Sequence, residues 1–186
     1  MSAICVALLA AAQPSPCVAP PAWRAAATEL DRARLRDWRA TWLQAQAEAT
    51  AAGKPLPTGA AYDLDQALDR PLPPAGAYRC RFIKFGGGTG LAERDWGRCR
   101  VDADGLAKLD GPQRPVGQLY ADATNRGVFL GTLALGDETR PLAHGRDDDR
   151  DLAGWVERVS DTRWRVVLPR PRFESTLDLL EIEPDQ

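Results

Sequence analysis

Two periodicities divide this chain. Between residues 28 and 53, Leu30, Leu35, Trp38, Trp42, Ala45 and Ala49 recur at helical spacing on one stripe, while Arg32, Arg36 and Arg39 fall mostly elsewhere. Thr28 is a candidate N-cap with Asp31 as its capping-box partner, and Gly53, followed by Pro55 and Pro57, ends the run. The pattern predicts one long amphipathic N-terminal helix. Its two tryptophans read as core contacts against the rest of the protein, because aromatics four apart on a helix serve packing. Residues 62–68 predict one short helical turn, and Arg70-Pro-Leu-Pro-Pro74 is a stop.

From Ala75 onward the period changes to two. Candidate strands are 77–85, 96–101, 106–109, 116–120, 127–135, 154–159, 162–168 and 177–183, separated by Gly, Asp, Asn and Pro clusters. The fold class is mainly β (α+β overall): a small antiparallel β-barrel of about eight strands. An up-and-down barrel is preferred to a two-sheet sandwich because most connections are short. Gly131 and Gly154 suit bends inside strands, and Ser160-Asp161 a hairpin turn. If Tyr78, Phe82, Phe129 and Trp164 all point inward, they fill the interior.

The first residues add a location. Ile4 to Ala12 is an apolar run too short to cross a bilayer, which needs about 20 residues. Ala10-Ala11-Ala12 fits small-x-small cleavage. The expected organisation is a signal peptide at 1–12, a Pro-rich tether at 13–27, the helix and a Pro-rich linker at 28–74, and the barrel at 75–186. The expected location is periplasmic or secreted. Cys5 leaves with the signal, and Cys17, after Pro14-Ser15-Pro16, lacks a lipobox context. Cys80 and Cys99, in the similar segments Tyr78-Arg-Cys-Arg-Phe82 and Gly97-Arg-Cys-Arg-Val101, are natural disulfide partners in an oxidising compartment.

Composition removes several functions. The net charge of −2 lacks the basic excess of a nucleic-acid binder. The single histidine, His144, rules out a zinc site built from several histidines and makes it the base of any serine triad.

Gly76-Ala-Tyr-Arg-Cys-Arg-Phe-Ile-Lys84, Gln113-Arg-Pro-Val-Gly-Gln-Leu-Tyr120, Val128-Phe-Leu-Gly-Thr-Leu-Ala-Leu-Gly-Asp-Glu138, Arg163-Trp-Arg-Val-Val-Leu-Pro169 and Phe173-Glu-Ser-Thr-Leu-Asp178 together resemble the domain of unknown function 4893 family of exported proteobacterial proteins. The resemblance covers nearly all of the chain after the signal. It implies a secreted, disulfide-capable domain and no activity. His144 and Pro112 stand where the family pattern has tyrosine and serine, which counts against a catalytic His144.

Four features carry potential chemistry. Arg79, Arg81, Arg98 and Arg100 flank the two cysteines and would share the outer face. They read as an Arg–Glu ladder with Glu181 and Glu183, or as the docking site of a small anionic ligand. Asp147, Asp149 and Asp151 have calcium-loop spacing, but Leu152 and Arg158 replace the required Gly and Glu, so a solvated turn is expected and no metal. Gly86-Gly-Gly-Thr-Gly90 lacks the Lys-Ser/Thr of a phosphate loop and reads as a hairpin loop. Ser175 lacks a nucleophile elbow. The leading expectation is therefore a non-enzymatic binding or protein-interaction module, a monomer without cofactor, whose partner is an envelope protein or a small anion. The competing one is a hydrolase using His144 with Ser175 or a carboxylate pair.

Overall fold

The computed structural model describes residues 22–185. The signal peptide, Cys5, Cys17 and residues 13–21 of the tether lie outside the described residues.

The long helix is α2, Glu29–Ala51. Thr28 caps it: its hydroxyl accepts the Asp31 N–H at 3.1 Å, and the Asp31 carboxylate accepts the Thr28 N–H at 2.7 Å. At the other end Gly53 takes φ 70°, its N–H reaching Thr50 O and the Lys54 N–H reaching Ala49 O, which is a Schellman closure. Leu35, Trp38, Trp42, Ala45 and Ala49 are buried as the stripe predicts. Leu30 is not, being 40% exposed; Asp31 and Arg34 take the inward face of the first turns. There the helix meets the polar start of a strand, where Arg34 donates to the Asp151 carbonyl at 2.6 Å.

The tether is shorter than expected. A helical turn, α1 (Trp23–Ala26), docks on the barrel through Trp23, which is 4% exposed and donates to Asp122 Oδ1 at 2.7 Å. The predicted turn at 62–68 is a 3-10 turn two residues earlier, Ala60–Tyr62.

Nine strands follow: β1 Gly76–Phe85, β2 Leu91–Glu93, β3 Gly97–Asp102, β4 Gly105–Lys108, β5 Gln113–Ala123, β6 Arg126–Leu135, β7 Asp151–Ser160, β8 Arg163–Pro169 and β9 Leu177–Pro184. From β3 each strand pairs antiparallel with the next, and β9 returns to β1, closing an eight-strand barrel. Sequence pattern missed β2, and it is an extension of β3. Between the pairs Ile83–Glu93 and Cys80–Gly97, two residues of β1 face three of the other edge, so a bulge at Arg94–Trp96 interrupts one long strand. The β7–β8 turn is one residue later than expected, because Ser160 pairs with Arg163 and leaves Asp161-Thr162 as the turn. Gly131 faces Gly117 across β5 and β6, and a Cβ on either would lie 2.3 Å from a backbone carbonyl of the other strand. These glycines permit a close strand approach as well as a bend.

The interior holds Tyr78, Phe82, Phe129 and Trp164, with Tyr78 edge-on to Trp164 at 5.9 Å, so apolar side chains fill the bore below Phe82. The helix lies outside: Trp38, Trp42, Ala45 and Ala49 cover Ile83, Phe85, Val167, Leu177 and Leu179. An apolar inside and a charged outer belt, described below, are the reverse of a membrane-spanning barrel. Among the described residues no helix is long and apolar enough to cross a membrane.

Cys80 and Cys99 form a disulfide across β1 and β3, with Cα atoms 5.8 Å apart. They sit diagonally, since Tyr78 faces Cys99 and Cys80 faces Gly97. The loop they close is worth about 3 kcal/mol in the chain-entropy model. Reduction, or a Cys80→Ala/Cys99→Ala variant, is expected to lower the midpoint by about 6–12 °C in calorimetry at 2–4 °C per kcal/mol. An unchanged midpoint would refute the bond.

Candidate functional site

Three strands break their own inside-apolar rule at the same end of the barrel. On β1 the inward series Tyr78, Cys80, Phe82 ends in Lys84; on β4 Leu106 is followed by Lys108; on β9 Asp178 precedes Leu180 and Ile182. All three charged side chains are buried, Lys84 at 3% and Lys108 at 8% exposure. Antiparallel closure places Lys84 opposite Asp178, and Lys84 Nζ donates to Asp178 Oδ2 at 3.0 Å. Ser175 Oγ donates to the other oxygen of Asp178 at 2.5 Å. Lys108 Nζ donates to Asp110 Oδ1 at 2.7 Å, and Asp110 also accepts the Arg98 N–H at 2.9 Å. Gly97 makes room for this, because a Cβ there would stand 2.6 Å from Lys108 Nζ.

A cleft of about 480 Å³ opens above these groups. Phe82 and Lys84 line it together with Trp96, Lys108, Pro112 and Gln113, and Arg94, Asp95 and Glu174 also border it. The volume falls in the range of about 300–1,000 Å³ typical of small-molecule sites. The ammoniums are not saturated. Each has three N–H donors, and among the described residues each makes one hydrogen bond. Glu174 stands 3.7 Å from Lys84 and is engaged by Arg94 at 3.1 Å. Burial pushes the Asp178 carboxyl up, against the opposing pull of Lys84 and Ser175. Burial would also raise Asp110, but hydrogen bonds from Lys108 and Arg98 outweigh it and hold Asp110 below the usual carboxylate range. With three carboxylates around two ammoniums, the site tolerates little extra negative charge: a like charge 4 Å away costs about 4 kcal/mol at an effective dielectric of about 20.

The arginine quartet lies on the outer face, each member paired. Arg79 bonds Glu183, Arg81 bonds Glu181 at 2.7 Å and Glu93 at 2.9 Å, Arg98 lies 3.6 Å from Asp110, and Arg100 is 2.6 Å from Asp102. Arg79 directly faces Arg98 across the ladder. Trp96, from the bulge, receives the Arg79 and Arg81 guanidiniums over its ring at 4.8 and 4.9 Å. The Arg81–Glu181 pair is one end of a longer alternation. Arg165 lies opposite Glu181 and bonds Glu157 at 2.6 Å, and Arg126 bonds Glu157 at 2.7 Å. Charge thus alternates Glu93, Arg81, Glu181, Arg165, Glu157, Arg126 across successive strands. Burial and Glu181 push the Tyr62 hydroxyl, laid on this belt, up to about 12.

His144 and Ser175 are in separate pairs. Ser175 serves Asp178, whereas His144 Nε2 donates to Asp31 Oδ2 at 2.9 Å. Asp151 is not in a solvated turn: it is buried at the start of β7 and accepts the Gly145 N–H at 2.9 Å. Asp149 pairs with Arg172 and Asp147 with Arg150. Gly86 to Gly90 forms a 3-10 hairpin loop whose Gly87 N–H is held by Glu48 at 3.1 Å.

The His144–Asp31 pair fastens the loop before β7 to the helix N-terminus, and it titrates. The hydrogen bond to Asp31 holds the His144 pKa above its ordinary value, against burial and the nearby Arg34. Burial alone would raise the Asp31 carboxyl, but His144 and Thr28 together lower it. The pair's stabilisation is therefore complete between the unfolded values, about 4 and about 6.5. It is lost as pH rises through the raised His144 value, and again as pH falls through the lowered Asp31 value. Asp151, pushed up by burial, works against Asp31 on the acid side. Urea unfolding is expected to show greater stability at pH 5.5 than at pH 8.5, and His144→Ala to diminish the difference. An undiminished difference in the variant would contradict the assignment, since His144 is the chain's one histidine.

No curated protein and no solved structure shows significant similarity to this chain. One family model does, and its match runs from Trp23 to Ile182, taking in the docked turn, the helix, and the barrel up to the last residues of β9. The chain belongs to the family described as Domain of unknown function (DUF4893), matched over residues 23–182.

Proposed function

We propose that this protein is an exported, monomeric, non-enzymatic binding module whose ligand seat is the mouth of the barrel. The observation that carries this reading is the contrast within one barrel. Apolar side chains fill the bore below Phe82, while the end above it keeps a cleft of about 480 Å³ into which two buried lysines open. A fold stabilised by apolar filling gains nothing from burying ammoniums with spare donors, so a ligand that uses them supplies the reason. Export is supported by the disulfide, which persists in oxidising compartments. The outer arginines are matched by carboxylates on the barrel's outer surface, whereas the mouth lysines are matched within a cleft.

The test is an amide NMR survey of the mature protein against pooled small metabolites. Shifted amides are expected to cluster at 94–97, 108–113 and 174–178. Shifts confined to Arg79, Arg98 and Arg100 would move the site to the outer face, and an unresponsive spectrum would refute the binding reading.

A further inference from the structure

The cleft's own chemistry narrows its ligand, on the reading that the mouth is the seat. The chain contains three lysines, Lys54, Lys84 and Lys108, among 24 lysines and arginines. Everywhere else on the barrel the cation is arginine, a fork suited to bidentate pairing with carboxylates. The two lysines inside the mouth are compact point charges. Lys84 is held in place from below by Asp178, itself buried and braced by Ser175. Lys108 is held from the rim by Asp110. Neither carboxylate uses more than one of its lysine's three donors. Beside the ammoniums the lining is apolar and aromatic: Phe82 on the floor, with Lys84 Nζ 5.3 Å from its ring centre, and Trp96 and Pro112 in the wall.

We infer that the barrel mouth binds a small monocarboxylic acid with an apolar body, the carboxylate taking the spare N–H donors of Lys84 and Lys108 and the body lying against Phe82 and Trp96. Asp178 and Asp110 already balance the two ammoniums, so the ligand is drawn by their remaining N–H donors and a single negative charge is the most the seat accepts. A phosphate dianion would set two negative charges against Asp178, Asp110 and Glu174.

Calorimetric titration with benzoate, hexanoate, benzyl alcohol and phenyl phosphate tests this. A carboxylate probe is expected to bind at least tenfold more tightly than benzyl alcohol or phenyl phosphate. Lys108→Met, whose partner Asp110 can turn to solvent, is expected to weaken the carboxylate at least tenfold and leave benzyl alcohol unchanged. Lys84→Met alone would strand Asp178, so the companion variant is Lys84→Met/Asp178→Asn, which removes the buried pair together and is expected to weaken the carboxylate equally. Equal affinity for benzyl alcohol and benzoate would overturn the carboxylate claim and leave the mouth as a seat for neutral ligands. Tighter binding of phenyl phosphate would overturn the monoanion claim. Failure of every probe to bind would count against the seat itself.

Discussion

Replacing Arg165 with alanine is expected to cost about 3–5 kcal/mol of folding stability, the range for breaking a buried ion pair by removing one partner. Arg165 is fully buried beneath the linker that follows the helix. Its Nε and Nη2 hold Glu157 at 2.8 and 2.6 Å. Nη1 donates to the carbonyls of Ala61 at 2.9 Å and Asp63 at 2.7 Å, and Nη2 to that of Gln66 at 3.0 Å. Alanine leaves Glu157 buried with Arg126 alone and leaves three carbonyls without a donor, so residues 60–66 should come loose and become open to proteolysis. Removing both charges, as Arg165→Met/Glu157→Leu, is expected to recover more than half of the loss, because no buried charge is then stranded. Urea denaturation measures both. A loss below about 1 kcal/mol for Arg165→Ala would show that the linker is held by something else.

Trp42→Ala is expected to cost a similar amount, about 3–5 kcal/mol. Trp42 is the largest fully buried side chain and sits between the helix and the barrel wall, edge-on to Trp38 at 6.4 Å and beneath the Arg165 guanidinium at 4.8 Å. Its ring N–H is buried without a partner among the described residues. Part of what its area contributes is therefore offset by a desolvated donor. Trp42→Phe, which deletes that donor while keeping an aromatic ring, is expected to lose less than about 1.5 kcal/mol. A phenylalanine variant as unstable as the alanine one would contradict this accounting. Because Trp42 and Arg165 touch, their alanine effects should fall short of additive by about 0.5–3 kcal/mol in a double-mutant cycle.

The helix was legible because its signals are local: Thr28 and Asp31 lie three apart, and Leu35 to Ala49 repeat at one period. The barrel was legible because alternation survives wherever one face is packed, and because most neighbours in the wall are neighbours in sequence. The disulfide followed from two similar segments. Trp23 was hidden by its proline-rich surroundings, although its contacts with Asp122, 99 residues away, and Trp155, farther still, give it a fixed place. Leu30 fits the apolar stripe but not the buried face, because hydrophobicity alone cannot show that the first turn meets a polar strand end.

The mouth was illegible for a related reason. Lys84 and Asp178 each read as the polar end of a strand, and only closure of the last strand onto the first shows that they share the inward parity of Phe82 and Leu180. Their separation of 94 residues hides the pair. The arginine quartet is conspicuous instead because its charges crowd together in sequence, while Glu181 lies 100 residues and Glu183 104 residues from their partners. A lysine on the inward parity of a strand, in a chain that otherwise favours arginine, was the available signal.

The most direct test is lysine-selective NMR with carbon-13 at Cε, which reports three resonances and needs no assumption about the ligand beyond its carboxylate. With benzoate or hexanoate added, the Lys84 and Lys108 signals are expected to move together and saturably while the exposed Lys54 stays still. If neither mouth lysine responds, or if Lys54 moves as much as they do, the two buried ammoniums are only part of the packing and the barrel mouth is not a binding seat.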